Sequence, residues 1–396
     1  MQMIRGTRTS LRKLAVIAGA SVCLGTIPAA LTATSASAQT TGTAARWGHG
    51  QLTPVKVNLP GPVAELSTSN STYYALLTNG TVYAWGYGSH GQLGNGSTGN
   101  SFSPVQVKFP AGVTIASIPA NSDPWDTAYA IDTAGNVWGW GANAGGELCL
   151  GPGSNFTVPQ ELTRLPAPVT AVAGADQHTT YDASGTLYSC GAGADGDLGN
   201  GAVKASRVPV KVQGLSGATA TSIVSGFNNV GVLLSDGSYY DWGWNGKGQL
   251  GDGTTGGYSD VPVQVTLPAP VTQVAQGGNG PNDGQTLVML SDGSVYAWGV
   301  NSSGQLGTGT LTSKNSPVKI SPPAGVTYQA LMAGGVTSFA VSTTGDVYGW
   351  GGNQHGELGN GTKTSSKTPI EILAGAATSP ALISATSTDV TVALQG

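Results

Sequence analysis

Across residues 271 to 320 four short apolar runs, VTQVAQ, TLVML, SVYAWGV and SPVKI, are separated by clusters of Gly, Ser, Asp and Pro. Runs of this length bounded by turn residues predict β-strands, here named a to d in chain order. The second and third runs are joined by Ser291-Asp292-Gly293, echoed by Thr78-Asn79-Gly80, Ser184-Gly185, Ser235-Asp236-Gly237 and Thr344-Gly345. Asp-Gly and Asn-Gly supply the positive φ that a tight hairpin needs. The fourth run carries a proline near its start each time, at Pro104, Pro159, Pro209, Pro262, Pro317 and Pro369. Proline cannot donate to a ladder, which places strand d at the edge of a four-stranded unit. No run keeps apolar residues at 3.6-residue spacing over ten or more positions, so the chain reads as all-β.

The cycle is a repeat. Aligned on the end of strand c, one column reads Trp85, Trp140, Cys190, Trp242, Trp298 and Trp350, in steps of 55, 50, 52, 56 and 52 residues. Six residues after each stands a glycine (Gly91, Gly146, Gly196, Gly248, Gly304, Gly356), followed two residues later by leucine. A fixed offset within a period of about 50 residues points to a propeller or a solenoid. The two ends decide between them. Residues 46–57 hold the Trp47 and proline strand of a unit with no strands a and b before them, and residues 381–396 hold strands a and b and stop. The halves complement each other, which predicts a seven-bladed β-propeller of four-stranded antiparallel blades. Six units, at about 63–110, 113–166, 169–215, 219–268, 271–323 and 326–373, are complete, and 42–62 with 374–396 form a split blade that closes the ring. Trp47, Trp85, Trp140, Cys190, Trp242, Trp298 and Trp350 are expected to pack between neighbouring blades.

Composition adds an address. Arg5, Arg8, Arg12 and Lys13 precede an apolar run, Leu14 to Ile27, and Ala36-Ser37-Ala38 follows. Together these read as a secretory signal peptide over 1–38, leaving a single propeller domain, 39–396, outside the cell with no stable membrane span. Without the leader the chain keeps 12 basic residues against 20 acidic ones, which argues against nucleic acid as a partner. Cys149 and Cys190 are the cysteines beyond the leader. An oxidising compartment permits a disulfide between them, which the sequence leaves open.

The stretches WGYGSHGQLGNG at Trp85, WGVNSSGQLGTG at Trp298 and WGGNQHGELGNG at Trp350 resemble the regulator-of-chromosome-condensation repeat family, over about residues 42 to 396. The resemblance implies a seven-bladed propeller. The family's Ala-Gly-x-x-His before strand b is approached only by Gly174-Ala175-Asp176-Gln177-His178. The founding member exchanges nucleotide on a small GTPase and docks on chromatin, a role that the leader and the lack of a basic tail argue against. Secreted bacterial propeller inhibitors of β-lactamase look closer in layout, although their repeats lack the long Leu-Gly-x-Gly corner.

Motifs for chemistry are weak. Two G-x-G-x-x-G matches, Gly86 to Gly91 and Gly191 to Gly196, are followed by a corner and a strand, where a dinucleotide site needs a helix. Asp195, Asp197 and Asn200 fail the calcium-loop pattern at Gly199, and no histidine has a second ligand at metal spacing. No cofactor and no metal are expected. Function is expected on the face formed by the a–b and c–d loops, because variable loops on a rigid scaffold usually bind. The candidates there are Tyr87, His90, Asp123, Trp125, Asp126, Phe227, Asn228, Trp244, Lys247, Asn282, Asp283, Gln354 and His355. The expected protein is a secreted, monomeric, non-catalytic binder of an extracellular protein, with inhibition of an extracellular enzyme as one role. One alternative is a glycan-acting hydrolase or lyase using Asp176, His178 and Asp195 at the channel mouth. The other is a structural module of the cell wall.

Overall fold

The computed structural model describes residues 43–48, 50–69, 71–119, 126–151, 153–166, 168–175, 177–215, 219–278, 280, 283–374, 383–385 and 390–395. The predicted signal peptide, 1–38, lies outside them. The described strands form seven four-stranded antiparallel sheets. Blade 5 shows the pattern: strands a (Val271–Gly277), b (Gln285–Leu290), c (Val295–Gly299) and d (Lys314–Ile320) pair in sequence order. Each of six blades comes from one continuous stretch, at 63–106, 115–161, 169–211, 220–264, 271–320 and 328–373. The seventh sheet combines Thr43–Gly48 and Gln51–Val57 with Ile383–Ala385 and Val390–Gln395. The expected seven-bladed ring closed by a split blade is corrected here to six blades. Blades whose strands and interior are both described number six, and the composite sheet is defined by its backbone pairing, since the side chains of 383–395 lie outside the described residues.

Burial follows the strand order. Strand b is buried at every residue in blades 1 to 6, for example Thr72–Leu77 and Thr337–Ser342, because both of its faces meet neighbouring blades. This explains why b reads as an unbroken run rather than an alternation. Strand d alternates between half-buried and exposed at the rim. The hydrophobic clusters lie between blades. Trp140 packs with Leu93, Val107 and Tyr74 of the preceding blade, and Trp298 with Val265, Tyr239 and Leu233. All six tryptophans of the column, and Cys190, are buried.

Strands a line the centre without a ladder between them, and side chains bridge the gap. The Glu65 carboxylate accepts from the Ile118 N–H of blade 2 at 2.8 Å, and the Gln273 side-chain oxygen accepts from the Leu331 N–H of blade 6 at 2.9 Å. No helix among the described residues is long and apolar enough to cross a membrane.

Candidate functional site

The loop face is built on a corner that each blade lays against the next. In blade 5 the Asn301 side-chain oxygen accepts from Leu306 N–H at 2.9 Å, and its nitrogen donates to the carbonyls of Thr310 and Thr312. Gln305 folds back, its side-chain oxygen accepting from Ser303 N–H, and its carbonyl accepts from Trp350 Nε1 of blade 6 at 2.9 Å. Gly307 has φ +68°, and a Cβ there would lie 2.8 Å from Trp350 Nε1, so only glycine lets the corner close on the indole. The same bond runs from Trp140 to Gln92, Trp242 to Asp197, Trp298 to Gln249 and Trp47 to Glu357, at 2.8–2.9 Å.

The junction of blades 2 and 3 departs from this. Cys149 stands where the other corners have the glycine that meets the indole, and Cys190 stands where they have tryptophan. The two form a disulfide. Cys149 holds φ 56°, the glycine-like conformation of its column. The question that the sequence left open is answered, and the bond takes the place of a Gly–Trp contact.

Several predicted binding-face residues meet across blades. His90 Nδ1 lies 2.8 Å from Asp126 Oδ2, and Asp126 Oδ1 accepts from Gln92 Nε2 at 2.8 Å, tying blade 1 to blade 2. Asn228 donates to Asp195 at 2.8 Å, tying blade 4 to blade 3. Tyr87 is exposed with its ring edge-on to Phe102. Lys247, Gln354 and His355 are exposed, and His355 Nδ1 is 3.5 Å from Glu357. Phe227 is half-buried. Trp244 is half-buried against Gly246, its Nε1 buried with no partner among the described residues, so it belongs more to packing than to a contact surface. The Asp283 N–H donates to the Gly280 carbonyl, and partial burial raises the pKa of its carboxyl. Asp123, Trp125 and Asn282 lie outside the described residues.

A buried polar cluster between blades 4 and 5 was missed. The Asp241 carboxylate receives Asn229, Tyr239 and Gln276 at 3.2, 3.0 and 2.8 Å, and burial holds its carboxyl well above the usual range. Its column in the other complete blades reads Ala84, Gly139, Ser189, Ala297 and Gly349, so an acid among these small residues was the available signal. Gly231, paired opposite Asp241, leaves room for the Tyr239 hydroxyl, which would lie 1.9 Å from a Cβ there.

His178 is buried and burial lowers its pKa to about 4, which keeps the imidazole neutral. The carboxylate of Asp195 is engaged by Asn228, and Asp176 lies outside the described residues. Among the described residues no group of three His, Cys, Asp or Glu side chains could hold a metal. A cavity of about 140 Å³ between blades 2 and 3, lined by Gly135, Glu161, Leu165 and Val169, is smaller than the roughly 300 Å³ at which ligand pockets begin.

Four-stranded blades with a Trp-to-corner bond at successive junctions define a β-propeller whose loop face is assembled from neighbouring repeats. The chain belongs to the Regulator of chromosome condensation (RCC1) repeat family, which matches residues 79–120, 134–181, 184–233, 236–280, 292–341 and 344–393, with a related profile over 63–92. It is 29% identical to the ultraviolet-B receptor UVR8 of Arabidopsis thaliana over 292 residues, 73% of this chain and 64% of that protein. It is also 29% identical to the E3 ubiquitin-protein ligase HERC2 of Homo sapiens over 353 residues, 84% of this chain but 7% of that protein. In fold it is similar to human WBSCR16, with a TM-score of 0.77 at 19% identity, covering 89% of this chain and 98% of that one. Prp20p of Saccharomyces cerevisiae, described with its binding to Gsp1p and histones, gives 0.73 at 19% identity over 90% and 92%. These relatives lend no support to the likeness to secreted β-lactamase inhibitors.

Proposed function

We propose that this chain is an exported, monomeric, non-catalytic propeller that holds a protein partner against its a–b and c–d loop face, and that covering the partner inhibits an extracellular enzyme. The observation that carries the reading is the set of polar bridges His90–Asp126, Gln92–Asp126 and Asn228–Asp195. They fix loops of different blades to one another, so exposed side chains such as Lys247 and Gln354 stand on a rigid platform, and preorganised surfaces lose less entropy on binding. Protein binding suits the family: Prp20p is described as binding Gsp1p and histones. The Cys149–Cys190 disulfide and the leader-like residues before Ala38 support export, because disulfides persist in oxidising compartments.

Two measurements test this. Protein recovered from the medium should begin at Gln39, and a protein retained in the cell with residues 1–38 intact removes the export claim. Affinity capture from the medium should recover a protein that the triple variant His90→Ala, Lys247→Ala, Gln354→Ala fails to hold. Recovery of wall polymer alone would favour the structural-module reading.

A further inference from the structure

The connection from blade 2 to blade 3 leaves a cavity of about 140 Å³ beside the b–c hairpin of blade 2. Its walls are apolar. Val137 comes from strand c, Leu162 and Leu165 from the connection, and Val169 from the start of the next strand a, and all four are buried. Backbone donors of the connection are occupied: Leu162 N–H donates to the Val137 carbonyl, Leu165 N–H to that of Leu162 and Val169 N–H to that of Gly135, at 2.9–3.3 Å.

The rim is rich in acceptors, and among the described residues no lysine, arginine or histidine lines the cavity. Glu161 and Thr163 are exposed there, and neither side chain makes a hydrogen bond or ion pair among the described residues. The half-buried Asn136 gives its Nδ2 to Asp132 Oδ2 at 3.0 Å, which leaves its side-chain oxygen over. The Asp132 carboxylate also receives Ala134 N–H and Trp138 Nε1, at 2.9 and 3.0 Å, and adds a second negative charge behind Asn136. Arg164 does not answer these acids. Its guanidinium nitrogens lie 3.2 and 3.4 Å from where a Cβ on Gly151 would stand, at the corner.

We propose that this cavity receives the side chain of a lysine carried by a partner protein. A cavity of roughly 150 Å³ accommodates a benzene molecule, so the space suits one side chain and excludes a larger ligand. An acidic side chain would face Glu161, and an apolar one would strip water from that carboxylate and give nothing back. A guanidinium is a broad planar fork. Lysine meets both parts of the site: its methylene stem lies along Val137, Leu162, Leu165 and Val169 while its ammonium stays at the rim, with three donors for Glu161, Asn136 and Thr163. The proposal goes beyond the loop-face reading and does not rest on it, because none of His90, Lys247 and Gln354 lines the cavity.

The probe is Nα-acetyl-lysine methylamide, titrated into the full chain while the methyl resonances of Leu162, Leu165 and Val169 are followed by NMR. Saturable shifts, half-complete at about 1 to 20 mM, are expected. The norleucine analogue keeps the stem without the ammonium and should bind at least about fivefold more weakly, as should the glutamate analogue. Glu161→Gln should weaken the lysine probe at least about threefold, in the range of an exposed ion pair. Glu161 is exposed and bonds to no described residue, so the variant folds, which an unchanged melting temperature verifies. No partner is needed, so the outcome is independent of the loop-face reading. A probe that does not saturate, that leaves these three methyls unmoved, that is matched by the norleucine or glutamate analogue, or that binds Glu161→Gln as tightly as the wild type overturns the proposal.

Discussion

The two faces of the propeller satisfy their polar groups in opposite ways. On the b–c hairpin face the side-chain bonds stay inside one turn, and only backbone carbonyls, those of Gly80, Gly135 and Gly237 among them, accept from the next blade. Asp236 accepts from the N–H and hydroxyl of Ser238, Asp292 does the same with Ser294, and Asn79 does so with Thr81. On the loop face bonds within each corner are joined by side-chain bonds between blades, from His90 and Gln92 to Asp126, from Asn228 to Asp195, and from five indoles of the column into a corner. A polar side chain of a hairpin turn can therefore change without breaking a side-chain bond to a neighbouring blade. A loop-face residue is either a strut between repeats or is free to vary on top of the struts, and the second kind is where recognition has room.

The largest effect should come from cutting a strut. Trp350→Ala removes a fully buried indole and its bond to Gln305, and should cost about 3–5 kcal/mol in denaturant unfolding. Next comes the disulfide junction. Cys149→Ser with Cys190→Ser should cost about 2–4 kcal/mol, as does reduction. Cys149→Gly with Cys190→Trp rebuilds the contact of the other junctions, should recover part of that loss, and should leave stability insensitive to reductant. If the rebuilt pair is no better than the serines, the two kinds of junction are not equivalent.

A smaller effect separates two bridges at the centre. Glu65 and Gln273 make the same bond to the neighbouring strand a, but burial raises the Glu65 pKa to about 6. The folded state then binds more protons than the unfolded state between pH 4.5 and 6. Its stabilising contribution is fully present below pH 4.5 and is lost as pH rises through 6, to the extent of about 2 kcal/mol. Glu65→Gln should leave stability at pH 4 unchanged and raise it above pH 6, as read from melting temperatures across that range. The buried His178, lowered to about 4, contributes the opposite slope in both proteins, with stability lost as pH falls from 6.5 through 4. The smallest effect is expected from the hairpin face, where Asp292→Ala should leave the melting temperature close to that of the wild type because it loses only exposed bonds within its own turn.

The repeat, the strands and the tryptophan column were legible because each is a local pattern copied about every 50 residues. The partner of each tryptophan was not, since the Gln92 carbonyl and Trp140 are 48 residues apart and meet only once blades stand side by side. For the same reason His90, Asp126, Asn228 and Asp195 could be named as loop residues but not as pairs. That Gly246 makes room for the ring of the half-buried Trp244 was not legible either, because it looks like any other loop glycine. Asp241 stood out in its column, yet three donors had to come from two blades before the acid made sense.

The most direct test of the binding claim compares the faces with one captured partner. Its affinity is measured for the loop-face variant His90→Ala, Lys247→Ala, Gln354→Ala and for the hairpin-face variant Asn79→Ala, Asp236→Ala, Asp292→Ala, after both are shown to melt as folded proteins. A loss of at least about tenfold for the first and none for the second is predicted. Equal losses, or a loss confined to the hairpin-face variant, would contradict it.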